Sequence, residues 1–116
     1  MDIEDMAAAV AKWASTQPLV RKAYLFGSRV RGTHRPDSDL DVAIELSTLS
    51  GDDSPLTTWI CEAQELKSSI VGVCPVIIDI NWCGSAGGTP YVHAGLEALS
   101  IVVYDADHIT PTIQKN

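Results

Sequence analysis

Apolar residues recur along this chain in two periods, and they divide it into helical and extended stretches. In residues 2–16, Ile3, Met6, Val10 and Trp13 fall three and four apart, the spacing of a helix with one buried stripe. Asp2, Glu4 and Asp5 lead it, where a helix N-terminus favours negative charge, and Pro18 closes it. Short apolar runs at residues 22–26, 39–46, 75–81 and 100–104 predict four strands. Between the second and third, Ser54-Pro55 reads as an N-cap followed by proline at the first helical position. The helix it opens is predicted to run to about residue 71, with Leu56, Trp59, Ile60, Ala63, Leu66 and Ile70 on one stripe and Gly72 at its end. Residues 47–54 read as a polar loop and residues 83–89 as a flexible glycine-rich loop, either lying over a site or only connecting elements. A short helix is expected over residues 90–98 and a loose tail from residue 105. The expected fold is α+β: a small mixed sheet of about four strands with two main helices on one face, all 116 residues forming one domain.

Chemistry concentrates between the first two strands, in the segment LFGSRVRGTHRPDSDLDVAI. Gly27-Ser28 follows the first strand, and a glycine there lets backbone N–H groups approach a phosphate closely. Ser28 can donate its hydroxyl to a phosphate oxygen. Asp39 and Asp41 are two apart on the second strand, so both face the same side. Two carboxylates so placed repel unless a cation lies between them, and hard oxygen ligands suit Mg²⁺. Arg29 and Arg31 are candidate phosphate contacts, because a guanidinium fork matches phosphate oxygens. Ser38 is a weaker nucleotide-binding candidate that also fits a local cap, and Asp37 is either a spare ligand or a turn residue after Pro36. On the third strand Asp79 is a lone acid in an apolar run, which calls for a partner or metal unless it reaches solvent at the strand end.

The spacing of Gly27-Ser28 and Asp39-x-Asp41, each beside an apolar strand, resembles the nucleotidyltransferase superfamily that includes DNA polymerase beta. It is similar to the minimal nucleotidyltransferases, the antitoxin-type proteins paired with HEPN-domain toxins. The resemblance implies that Asp79 is the third carboxylate of a set with Asp39 and Asp41. Two of these acids would hold the Mg²⁺ that carries the triphosphate. All three would hold a second metal that activates the acceptor, with Asp79 assisting deprotonation. It implies transfer of a nucleoside monophosphate, AMP from ATP, to a hydroxyl, here a tyrosine of a partner HEPN toxin. Two alternatives stay open: a catalytically silent, toxin-binding antitoxin subunit, and a small-molecule (aminoglycoside-like) nucleotidyltransferase working as a homo-oligomer.

Charge sharpens this picture. A formal net charge of −7 argues against a general nucleic-acid surface. Yet Arg21, Lys22, Arg29, Arg31 and Arg35 are five of the eight basic residues, and no acid lies between Asp5 and Asp37. Positive charge is thus gathered where phosphate would sit. Cys61, Cys74 and Cys83 lack metal-ligand spacing and read as buried free thiols of a reducing cytoplasm. His34, His93 and His108 do not cluster in sequence. Trp59 reads as core, whereas Trp82 and Tyr91 flank the glycine-rich loop and are candidates to stack on a base. The first residues are acidic and no apolar run approaches the roughly 18 residues of a membrane span, so neither a leader nor a span is expected.

Overall fold

The computed structural model describes residues 2–33, 35, 38–47, 54–84 and 89–106. The elements are α1 (Ile3–Ser15), β1 (Val20–Phe26), α2 (Ser28–Arg31), β2 (Leu40–Leu46), α3 (Pro55–Ile70), β3 (Ile78–Trp82), α4 (Pro90–Ala98) and β4 (Ser100–Asp105). The strands form one sheet in the order β3-β2-β1-β4. β1 runs antiparallel to both β2 and β4, and β2 runs parallel to β3, so the sheet is mixed. Among the described residues no helix is long and apolar enough to cross a membrane.

The α+β architecture follows from which side of the sheet is apolar. Ala23 and Leu25 of β1 and Val42 and Ile44 of β2 are wholly buried on one face. Met6, Val10 and Trp13 of α1 and Leu66 and Ile70 of α3 complete that core. Asp2 caps α1 by accepting from the Asp5 N–H at 2.8 Å. Trp13 Nε1 donates to Ser69 Oγ at 2.9 Å, which ties α1 to α3 on the same face. These are the two main helices the sequence predicts.

Four expectations need correction. Ile60 is 68% exposed and Leu56 46%, so neither lies on the core stripe of α3. Ile60 stands six residues before Leu66, and at about 100° per residue that puts it roughly 120° round the helix from the core. Cys61 is exposed for the same reason, while Cys74 and Cys83 are buried as expected. β3 begins at Ile78, not at 75, because residues 71–76 are spent turning the chain back from α3. The positive φ of Gly72, +84°, belongs to that turn. Trp82 packs with the core on the side of Ile78 and Ile80, and its register partner is Ile44. It therefore faces away from the acids and is not placed to stack on a base.

Candidate functional site

The opposite face of the sheet is polar. Register sets Phe26 opposite Asp41, and Asp41 opposite Asp79, across β1, β2 and β3. Cross-strand partners point to the same side of a sheet. Asp41 and Asp79 therefore lie side by side, with the end of β1 on the flank away from β3. Asp39 precedes β2 by one residue and is exposed, as is Asp79, while Asp41 is half-buried.

Gly27 makes the turn out of β1. Its φ of +83° and ψ of −162° lie in a region that side chains avoid. It is buried, and a Cβ there would collide with the Asp41 carboxyl oxygen Oδ2. Glycine thus satisfies two demands at once, a reversed backbone and contact with a carboxylate. The chain then forms the single turn of α2, with Gly32 (φ +76°) at its C-cap donating to the Ser28 carbonyl. Ser28 opens this turn and is half-buried.

Electrostatics bind these pieces together. Burial pushes the Asp41 carboxyl above its usual value, and the charges of Asp79 and then Asp39 push it further. The guanidinium of Arg31 acts on Asp41 in the opposite sense. Arg29 is differently engaged: its Nε donates to the Ser38 carbonyl at 2.9 Å, bracing the loop. Ser38 Oγ accepts from the Arg35 N–H at 2.8 Å, which is a local cap. Sequence-predicted residues are therefore brought together at Gly27, Arg31, Asp39, Asp41 and Asp79, with Ser28 adjoining. Arg29 and Ser38 hold the loop that carries them. Among the described residues no three Asp, Glu, His or Cys side chains close into a ready metal-binding group. The donor chemistry still fits a hard divalent cation, since the charges of Asp79 and Asp39 raise the proton affinity of Asp41 and a cation beside it would offset them. His34 and Asp37 lie outside the described residues, as do residues 85–88 of the glycine-rich loop, His108 and the side chain of Tyr91.

Several polar residues on this face escaped sequence reading. Tyr24 donates to Glu45 Oε2 at 2.5 Å, and burial together with that carboxylate pushes the phenol well above its usual range. Burial, with Glu45 second, raises the Cys83 thiol. His93 of α4 donates from Nε2 to the Gly84 carbonyl at 2.6 Å and sits 3.8 Å from Cys83 Sγ. Gly95 of α4 meets the ring of Phe26, where a Cβ would come within 2.7 Å, so α4 lies on this face. The period-2 alternation that set Asp39 and Asp41 on one side extends to Glu45 and was the available signal. The reach of α4 had none.

Comparisons with known proteins agree with this fold. The profile of the family "Polymerase beta, Nucleotidyltransferase" matches residues 9–79, which run from α1 through Asp79. No curated protein sequence matches the chain closely enough to count. A crystal structure of a toxin–antitoxin with AMP-PNP is 19% identical, with a TM-score of 0.58 over 94% of this chain and 87% of that one. A candidate nucleotidyltransferase from Sulfolobus solfataricus is 17% identical, with a TM-score of 0.53 over 90% of this chain and 81% of that one. Both share the fold. With its Gly-Ser turn packed on the middle acid of the sheet and a family match over more than half its length, the chain belongs to the polymerase beta nucleotidyltransferase family.

Proposed function

We propose that this protein transfers AMP from ATP to a hydroxyl group, releasing pyrophosphate, and that the acceptor is a tyrosine on a HEPN-domain toxin that it neutralises. The observation that carries the reading is the line from Gly27, in the turn just after β1, through Asp41 of β2 to Asp79 of β3. Gly27 and Ser28 receive the phosphates, because the first N–H groups of a helical turn lack intrahelical partners and point outward. Arg31 offsets negative charge at the mouth of the site. Asp39, Asp41 and Asp79 would hold Mg²⁺, which when bound supplies charge neutralisation to the phosphates and acidity to the acceptor hydroxyl. Asp79, exposed on the strand farthest from the Gly-Ser turn, takes the proton as the acceptor oxygen bonds to the α-phosphorus and the bond to pyrophosphate breaks. The work of the chain is positioning and electrostatics, with no covalent enzyme intermediate.

The toxin–antitoxin neighbour supports an antitoxin role by its fold, and its AMP-PNP supports an adenine nucleotide. The test is incubation of the protein with ATP, Mg²⁺ and a HEPN-domain protein encoded beside it, followed by mass spectrometry of that partner. The expected result is one or more AMP units on a tyrosine, slowed by Ser28→Ala without loss of the complex. A stable complex with no mass change would leave the chain a silent binding subunit. Modification of a small hydroxylated molecule without any complex would make it a small-molecule enzyme.

A further inference from the structure

The mouth of the site is not uniformly polar. Ile77, immediately before β3, is 73% exposed. Its carbonyl accepts from the Leu40 N–H at 2.8 Å, and Leu40 is in register with Ile78. Ile78 packs on the core, so alternation turns Ile77 to the other face, with Asp79 two residues on. Ile77 therefore stands beside Asp39 and Asp79. The sheet order sets the acids of β2 between the Gly27–Ser28 turn and this isoleucine. Ile77 also lines a cavity of about 340 Å³ together with Val71, Pro75 and the core-side Cys74 and Ile78, and Val71 is itself 77% exposed.

An apolar wall on the side of the acids away from the phosphate turn has one use in a transfer reaction. We propose that Ile77 positions the acceptor: the apolar body of the hydroxyl-bearing group packs against it, which presents the oxygen to Asp79. The inference rests on the nucleotidyl-transfer reading and deepens it. The site selects a hydroxyl carried on an apolar ring over one carried on a polar skeleton. A phenol fits, whereas a sugar surrounded by further hydroxyls would leave polar groups against the Ile77 side chain.

The test uses the whole chain with ATP and Mg²⁺ and two soluble probes, tyrosinamide and serinamide. Wild type should adenylylate tyrosinamide with the lower KM. Ile77→Ser should raise the KM for tyrosinamide about 10-fold, leave the KM for ATP and the kcat at saturating acceptor near wild type, and erase the preference; Ile77→Leu should restore it. An exposed position makes both variants compatible with folding. An unchanged acceptor KM in Ile77→Ser, or an equal rise in both KM values, would overturn the assignment. Ligand-observed NMR of tyrosinamide with a non-hydrolysable ATP analogue separates the two ideas. Binding that Ile77→Ser abolishes, without transfer by wild type, keeps the wall and rejects the reaction. Absence of binding to wild type rejects the wall.

Discussion

Replacing Gly27 by alanine tests the centre of the site through stability alone. Two penalties are expected. The backbone at φ +83° and ψ −162° is open essentially to glycine, and another residue there loses about 1–3 kcal/mol. The new methyl also falls on Asp41 Oδ2, with Cγ at 2.9 Å and Cβ at 3.2 Å, so the carboxyl must swing away or the β1–β2 pair must part. Forced overpacking of this kind adds about 1–3 kcal/mol. Gly32→Ala is the reference: its φ is +76° and nothing lies within 4 Å of the added atom, so only the left-handed strain of about 1–2 kcal/mol applies. A double-mutant cycle with Asp41→Ala separates strain from collision. Removing the carboxyl takes away Oδ2 and Cγ and leaves only the 3.2 Å contact, so the double variant should be more stable than the sum of the singles by about 1 kcal/mol or more. Urea denaturation of the four proteins measures this. Additivity within about 0.5 kcal/mol would refute the claim that glycine is required by the acid beside it.

Three further outcomes are expected. The Asp41 carboxyl is raised above its ordinary 3.8, so the folded state holds its proton more tightly than the unfolded chain. Its ionisation therefore opposes folding: stability falls as pH rises from that value through the folded pKa, and the penalty persists above it. Asp41→Asn should be the more stable protein at neutral pH and lose that advantage in acid, and parallel pH–stability curves would contradict this. Asp79→Asn should keep most nucleotide affinity by calorimetry yet lose about 100-fold or more in turnover, whereas near wild-type turnover would make Asp79 structural. Tyr24→Phe removes the 2.5 Å donation to Glu45 and should reduce stability by about 1.5 kcal/mol in urea, with a loss under about 0.5 kcal/mol counting against the bond.

What sequence disclosed and what it hid divide along the range of the interactions. Asp39, Asp41 and the strand that carries them were legible because alternation is a local property. The core stripe of α1 was legible in the same way, through Met6, Val10 and Trp13. The stripe of α3 was drawn too wide, since an apolar residue 120° from the core is as apolar in sequence as one facing it. Trp82 was offered to a base because the strand was ended at residue 81; β3 runs on through Trp82, and alternation three residues from Asp79 turns it to the other face. The pairing of Tyr24 with Glu45 and the closure of α4 by His93 on Gly84 depend on strand register and helix docking, which no short window contains. The collision waiting at Gly27 is of this kind too: a glycine after a strand is visible, and its reason, a carboxylate 14 positions later, is not.

The parallel pairing of β2 with β3 has a consequence in time. β1, α2 and β2 assemble through near neighbours, so the Gly-Ser turn and the first two acids come into register early. A parallel neighbour requires a crossover, and here the chain must pass through all of α3 before Asp79 can reach Asp41. Such distant closures are the slow steps of folding. On a ribosome, a nascent chain that has released only its first 70 residues would hold the hairpin and still lack its third acid. The last carboxylate to arrive comes only after α3, so the acid set is completed after α3 has crossed the sheet, with α4 and β4 still to follow.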